Sequence, residues 1–143
     1  MGEAELRELV ARKVLRPATA DPETARAELD TARRHVTSAE TILDDDPSLA
    51  FTALDDAMRK AISAHMRSRG HRTTSGPGAH VKSGQYAQAA LDHLDITTYL
   101  DEFDALRNLR NQTEYDARHV DPDEVRDALD TVRAIVAAIA NDL

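Results

Sequence analysis

Side chains that could bind a phosphate lie close together in one run of the sequence, RNLRNQTEY, which begins at Arg107. The run contains two Arg-Asn pairs, and Arg107, Arg110 and Asn111 are the residues that we expect to contact an anion. Arginine suits this role because its planar fork of N–H donors matches the oxygens of a phosphate group. Glu114 and Tyr115 end the run and would add a carboxylate and a phenol to the same site.

The same residues also suit a structural network that holds no ligand. Glu114 lies four positions after Arg110, a spacing that places both side chains on one face of a helix. Asp101 and Asp104 lie shortly before the run and could pair with its arginines. Tyr115 could be a core or interface aromatic whose hydroxyl bonds to a neighbour. The sequence leaves both alternatives open.

A second basic region surrounds a glycine-bearing loop, residues 70–78. The segment from Arg59 to Lys82 contains several lysines, arginines and histidines but no acidic residue. Arg69 and Arg72 could supply charge to a phosphate, and glycines let backbone amides approach one near the next helix start. The spacing of a P-loop is absent. A solvated loop without a ligand is the alternative for this segment.

The sequence gives no reason to expect a metal or another cofactor. The six histidines show no HExxH or other compact ligand spacing, and the chain has no cysteine. The lack of cysteine excludes disulfides, thiolate zinc sites and a cysteine nucleophile. The acidic run Asp44-Asp45-Asp46 lacks the alternating oxygen ligands of a calcium loop and is better explained as a helix end followed by a helix cap.

Composition bounds the class of protein. A chain of 143 residues fits one domain, residues 1–143, and the 3% aromatic content means that Leu, Ile, Val and Ala must build the core. The net charge of −8 argues against non-specific binding of duplex nucleic acid, although it allows a local anion site. We find neither a signal peptide nor an apolar stretch long enough to span a bilayer, so we expect a cytoplasmic protein that does not bind a membrane.

Three helix starts share one signal, an Asp that caps the helix and a Pro at its first position: Asp21-Pro22, Asp46-Pro47 and Asp121-Pro122. After the third, Glu124 follows Asp121 at the spacing of a capping box. Apolar residues at steps of three and four predict long helices from each start, over about 22–43, 47–70 and 122–143.

Three further helices are predicted over about residues 3–15, 81–94 and 98–118, with Leu100, Phe103, Leu106 and Leu109 of the last facing inward. No window shows the sustained alternation of a strand, so no strand is predicted. The fold class is therefore all-α, an up-and-down bundle of about five to six helices. Residues 1–16 form an extra N-terminal helix in this scheme, and residues 70–78 form an irregular loop.

Two stretches of the chain carry a family resemblance. Residues 50–80, AFTALDDAMRKAISAHMRSRGHRTTSGPGAH, combine a long helix of small and apolar residues with a basic loop and a final His. Residues 103–116, FDALRNLRNQTEYD, place Arg110-Asn111 on a late helix. Together with the last helix, these stretches resemble the HEPN family (higher eukaryotes and prokaryotes nucleotide-binding domain) over roughly residues 22–143. The resemblance implies a helical bundle and leaves the first helix outside it.

The chain departs from the family at its signature histidine. In active members the resemblance implies metal-independent RNA cleavage across a dimer, in which Arg stabilises the charged phosphorane and a His a few residues later moves protons. Five residues after Arg110 this sequence has Tyr115. A tyrosine titrates near about 10, roughly three units above the range in which a neutral proton shuttle works. The candidate catalytic residues of an active site would be Arg110, Glu114, Tyr115 and His119, although His119 lies too far along for the signature.

The resemblance implies a binding or regulatory module more than an efficient enzyme. RNA or a nucleotide would be bound by Arg107, Arg110, Asn111, Arg69 and Arg72. The family also implies a homodimer, a place in a toxin–antitoxin or phage-defence system, and a cognate nucleotidyltransferase or other toxin or antitoxin protein as partner. A long Ala-rich helix over residues 47–70, broad enough to pack on several sides, gives further reason to expect a dimer. A metal-independent endoribonuclease with an altered motif and a purely structural scaffold are the alternatives.

Overall fold

A computed structural model describes residues 2–115 and 120–143, except for the side chains of His80 and of residues 109–115. Within this part of the chain, six α-helices form the protein: α1 Gly2–Ala11, α2 Pro22–Ile42, α3 Pro47–Ser68, α4 Ala79–Ala90, α5 Thr97–Tyr115 and α6 Pro122–Asp142. A short 3₁₀ helix, Asp92–Leu94, and two strands, β1 Leu15–Pro17 and β2 His71–Thr73, complete the elements. The predicted all-α bundle is confirmed. No described helix has both the length and the apolar character that crossing a bilayer requires.

Each Asp-Pro signal starts a helix where the sequence predicts one. The carboxylates of Asp21 and Asp46 each accept a hydrogen bond at 3.1 Å from the backbone N–H three residues later. The carboxylate of Asp121 instead accepts at 2.9 Å from the N–H of Asp123. The third cap therefore uses the second free amide of its helix, where a capping box with Glu124 would have used the third.

Helix α3 lies at the centre of the bundle. It packs along α2 and α6 and also contacts α4 and β2. Its small residues are fully buried, which lets neighbouring helices approach closely: Ala50, Ala57, Ala61 and Ala64. Most of the broad apolar surface of this helix, which the sequence offered as a reason for a dimer, is thus covered within the chain, although Leu49 remains exposed.

Helix α5 joins the bundle through aromatic and aliphatic contacts. The rings of Phe51 and Phe103, the two phenylalanines of the chain, stack with centroids 5.5 Å apart and planes 6° from parallel. Leu100 is also buried and Leu106 is partly buried against the core, as the stripe predicts. The side chain of Leu109 lies outside the described residues. This packing fixes the direction of the helix that carries the arginine-rich run.

The two short strands correct the prediction that no strand forms. β1 and β2 pair antiparallel, with Leu15 opposite Thr73 and Arg16 opposite Arg72. The ladder includes part of the segment 70–78 that we expected to be irregular. Three residues are too few to show the alternation of a strand, and the partners lie far apart in sequence, so no local signal predicts the pairing.

The N-terminal segment also differs from its prediction. Helix α1 ends at Ala11, earlier than predicted, and the chain turns at Lys13, which has a φ of 61°. The segment then meets Gly70, whose carbonyl accepts a hydrogen bond at 2.9 Å from the N–H of Ala18. Gly70 has a φ of +77°, and a Cβ there would lie 2.9 Å from the carbonyl oxygen of Ala18. Glycine is needed because both the positive φ and the close approach exclude a side chain.

Candidate functional site

Arg107, the first arginine of the run on α5, borders a small pocket between α3, α4 and α5. We call this the signature-helix pocket. Met58, Ile62 and Leu100 supply apolar walls, and Arg59 joins Arg107 in the lining. The pocket encloses about 20 Å³, which is room for about one water molecule. A nucleotide could not enter it, so a ligand here would have to lie across the surface of α5.

Arg107 forms an ion pair within its own helix. Its guanidinium donates to Asp104 at 2.8 Å, and its side chain is 20% exposed. The pairing of Arg107 with Asp104 at helical spacing, which the sequence allowed, is thus present in the structure. Asp104 orients the guanidinium beside the pocket and neutralises part of its charge.

The other candidates of the run are placed only in part. Arg110, Asn111, Glu114 and Tyr115 lie on α5, but their side chains are outside the described residues. His119, together with the last predicted residues of the helix, lies outside the described residues altogether.

Arg69 and Arg72, predicted together from the basic loop, face different surroundings. Arg69 follows the end of α3 and donates to the backbone carbonyl of Asp142 at 2.6 Å and to its carboxylate at 3.2 Å. Arg72 is exposed on β2 and lines a cleft that Arg69 does not line. The structure therefore brings each arginine into a separate cluster.

The cluster around Arg69 connects the ends of three helices, and we call it the histidine–aspartate cluster. His65 of α3 is only 1% exposed. Its Nδ1 lies 2.8 Å from the hydroxyl of Tyr86 on α4, and its Nε2 lies 2.7 Å from a carboxylate oxygen of Asp142 on α6. The other carboxylate oxygen lies 3.0 Å from Nε2 of His93. Every polar atom of the His65 ring is thus paired.

The surroundings of this cluster determine where its protons reside. Burial lowers the pKa of His65, and this effect outweighs the opposing effect of the hydrogen bond that His65 donates to Asp142. Burial also raises the pKa of Tyr86. Burial alone would raise the pKa of Asp142, but the hydrogen bonds from His93 and His65 leave it lowered. A neutral His65 therefore accepts from the tyrosine O–H at Nδ1 and donates from Nε2–H to an ionised carboxylate.

This arrangement fits a structural joint better than a catalytic group. The imidazole of His65 is shielded from solvent and both of its nitrogens are engaged, so no proton position is open to a substrate. Sequence reasoning missed the cluster because its members are 21 and 77 positions apart. The one usable signal was that His65 falls on the apolar stripe of α3 between buried residues.

The cluster around Arg72 surrounds an open cavity of about 500 Å³, which we call the hairpin cleft. Its lining is basic and hydroxyl-rich: Arg16, Arg67, His71, Arg72, Ser63 and residues 73–75. Arg67 forms an ion pair with Glu28 of α2. Sequence reasoning missed Arg16, because only the ladder brings the N-terminal segment beside β2.

His71 lines the hairpin cleft, and one of its ring nitrogens has no hydrogen-bond partner among the described residues. This atom, Nδ1, is buried, and the ring centroid of His71 lies 6.3 Å from that of Tyr86. Burial lowers the pKa of His71. Elsewhere in the described chain, His35 of α2 lies 2.7 Å from a carboxylate oxygen of Asp56 on α3. Within this part of the molecule, no three His, Asp or Glu side chains are placed to share a metal ion.

The family model for the HEPN domain matches residues 23–143, which span α2 to α6 and exclude α1 and β1. No curated protein and no solved structure gave a match. The matched region contains the arginine-rich run and most of the buried core, and it covers well over half of the chain. The chain therefore belongs to the HEPN family of nucleotide- or RNA-binding and RNase-type modules.

Proposed function

We propose that this protein is a HEPN binding module that retains RNA or a nucleotide on the surface of α5 without cleaving it efficiently. Arg107, Arg110 and Asn111 would make the contacts. The observation that carries this proposal is the position of Arg107. Packing of Leu100 and Phe103 holds its helix, and Asp104 holds its guanidinium at the edge of a pocket too small for a ligand. An anion would therefore meet Arg107 at the surface.

The lack of efficient cleavage is proposed from the chemistry of proton transfer. A shuttle at neutral pH needs a group with a pKa near about 7, and imidazole is the usual one. Among the four histidines with described side chains, none lines the signature-helix pocket. Two are paired with Asp142, one with Asp56, and His71 lies in the hairpin cleft.

The biological setting is proposed from family membership. A toxin–antitoxin or phage-defence system would provide a partner protein, such as a cognate nucleotidyltransferase or another toxin or antitoxin. We also propose a homodimer, which would place two α5 surfaces near each other. Light scattering at micromolar protein concentration tests the dimer, and a monomeric mass would contradict it.

The test of function measures RNA binding and RNA cleavage on the same samples. Wild-type protein should reduce the electrophoretic mobility of labelled structured or unstructured RNA and leave the RNA uncleaved. Arg107→Ala and Arg110→Ala should each weaken binding by about tenfold, the equivalent of one lost charge-assisted contact. Arg133→Ala, which removes an exposed arginine from α6, is the matched control and should bind as the wild type does.

Three outcomes would contradict the proposal in different ways. Cleavage that disappears in Arg110→Ala would identify an active endoribonuclease with an altered motif. Absence of binding together with unfolding of Arg110→Ala would identify a structural scaffold. Equal binding by all variants would mean that the RNA-binding site does not lie on α5. A gain of nuclease activity in Tyr115→His would instead support a site that lost its proton shuttle.

A further inference from the structure

The hairpin cleft contains an arrangement of charge that the fold does not explain. Arg16 and Arg72 lie directly opposite each other in the β ladder, and both are exposed. Like charges at opposed positions destabilise an antiparallel pair. Neither arginine forms an ion pair with any side chain in the described parts of the chain. A ladder this short keeps two repelling cations together without a counter-charge from the described residues.

The remaining lining adds donors and no negative charge. None of the residues around the cavity is acidic. Ser63, Thr73 and Ser75 offer hydroxyls, and Arg67 adds a third guanidinium whose charge Glu28 partly balances. A dozen or more N–H and O–H donors around one opening favour a ligand with many acceptor oxygens, such as a phosphate group.

The walls of the cleft are held in place before any ligand arrives. The hydroxyl of Thr74 donates to the carbonyl of Lys13 at 2.7 Å, and the backbone N–H of Thr74 donates to the carbonyl of Val14 at 3.1 Å. From the other side, the ammonium of Lys82 donates to the carbonyls of Thr74 and Ser75 at 3.2 and 3.4 Å. The loop that borders the cavity is therefore tied to both the N-terminal segment and α4, which lowers the entropy lost on binding.

The cleft is also distinct from the signature-helix pocket. Arg16 belongs to the N-terminal segment outside the family match, and β2 and α3 supply the rest of its charge. The two sites share no lining residue. With about 500 Å³ of space, the cleft falls in the size range of small-ligand sites, roughly 300–1,000 Å³.

We propose that the hairpin cleft is a second anion site, which binds the phosphate groups of a nucleotide or of an RNA strand between Arg16 and Arg72. A bound phosphate replaces the repulsion of the two guanidinium groups with two bidentate contacts. The hydroxyls of Thr73 and Ser75 complete the coordination. This site does not depend on the α5 surface, so either proposal can fail while the other stands.

Binding is tested with three probes at low salt: inorganic pyrophosphate, ATP and a short fluorescent single-stranded RNA. The double variant Arg16→Ala/Arg72→Ala should lose at least about tenfold in affinity for every probe that the wild type binds, because two charge-assisted contacts are removed. The control Arg26→Ala/Arg34→Ala removes the same charge from exposed positions on α2 and should change affinity by less than about threefold.

The pattern across probes and variants identifies the ligand source and the site. Binding of pyrophosphate and ATP points to a nucleotide, whereas binding of RNA alone points to a strand. Losses in Arg16→Ala/Arg72→Ala but not in Arg107→Ala support the hairpin cleft specifically. Wild-type binding of none of the probes, or equal binding by the hairpin variant and the control, overturns the proposal.

A second measurement on the wild type does not depend on how the variants fold. Amide chemical shifts should move with pyrophosphate at Arg16, Arg72 and residues 73–76, and remain still along α5. Shifts confined to other regions would overturn the proposal.

Discussion

The histidine–aspartate cluster and the hairpin cleft both begin on the second half of α3, yet they resolve their charge in opposite ways. In the cluster, a single carboxylate, that of Asp142, receives hydrogen bonds from two histidines and Arg69, and the buried imidazole of His65 has both nitrogens paired. In the cleft, Arg16 and Arg72 face each other with no described carboxylate between them.

This difference separates groups that stabilise the fold from groups that await a ligand. A buried polar network is stable only when its members are satisfied, and removal of one partner costs the desolvation of the other. Exposed cations tolerate an absent partner because water solvates them. Whether the polar groups of a basic cluster already have partners within the protein therefore indicates, better than residue type does, which cluster is the better candidate for binding a ligand.

The largest expected effect comes from disrupting the cluster at its centre. His65→Leu leaves the buried hydroxyl of Tyr86 without its acceptor and removes one donor from Asp142, so unfolding free energy should fall by roughly 2–4 kcal/mol. Denaturant unfolding measures the change, and affinity for pyrophosphate should not alter. Tyr86→Phe should cost about 1–3 kcal/mol alone but far less in the His65→Leu background. Additive losses would contradict the pairing.

Acidification should weaken the same cluster without any mutation. The pKa of His65 is lowered in the folded state, whereas in the unfolded chain it is about 6.5. As the pH falls below about 6.5, the unfolded chain therefore binds protons more readily than the folded protein does. The stabilising contribution is complete above that pH and is lost as pH falls below it, with His71 acting in the same direction. Unfolding midpoints from about pH 7.5 to about pH 5.5 should decline, and His65→Leu should reduce the slope. An equal slope in His65→Leu and His35→Gln would be inconsistent with this origin.

A smaller effect of opposite sign is expected in the cleft. Arg16→Glu converts opposed like charges into an opposed ion pair with Arg72, which should stabilise the protein by about 0.2–1 kcal/mol. The same change should abolish phosphate binding, because it places a carboxylate in the site. Thermal unfolding and pyrophosphate titration report the two effects separately. If Arg16→Glu destabilised the protein as much as His65→Leu does, the cleft would be structural too.

The smallest effect is expected at the signature-helix pocket. The charge of Arg107 there is partly neutralised by Asp104, an intermediate case between the cluster and the cleft. Asp104→Asn removes the ion pair with Arg107 and should cost only about 0.2–0.5 kcal/mol. It also frees the guanidinium, so RNA affinity should rise by less than about threefold. Weaker RNA binding by Asp104→Asn would mean that the aspartate orients Arg107 for its ligand more than it competes for the charge.

The helical framework could be predicted from the sequence because its signals are local. Asp21, Asp46 and Asp121 cap the helices that their Asp-Pro pairs predict. The apolar stripes of α2, α3 and α6 become buried faces. Each of these features depends on residues within a few turns of one another, so spacing along the chain is enough to identify it.

The surroundings of the candidate site residues could be predicted less well. The arginine-rich run is a candidate because its residues are contiguous, and Arg72 is one because its loop is basic. The partners of these residues could not be predicted, since Arg69 pairs with a side chain 73 positions away. The prediction of no strand was wrong for a similar reason: β1 and β2 are too short to be recognised until each lies beside the other.

The sequence by itself determined the number and starts of the long helices, the family, and the identity of the arginine-rich helix. Local hydrogen bonds and apolar periodicity suffice for the helix starts and faces. Only the tertiary structure decided which charges are neutralised and which stay unopposed, because that depends on the register of a distant strand and on where α6 ends against α3. Electrostatic pairing acts across space over a few ångströms, and the order of residues along the chain does not fix those distances.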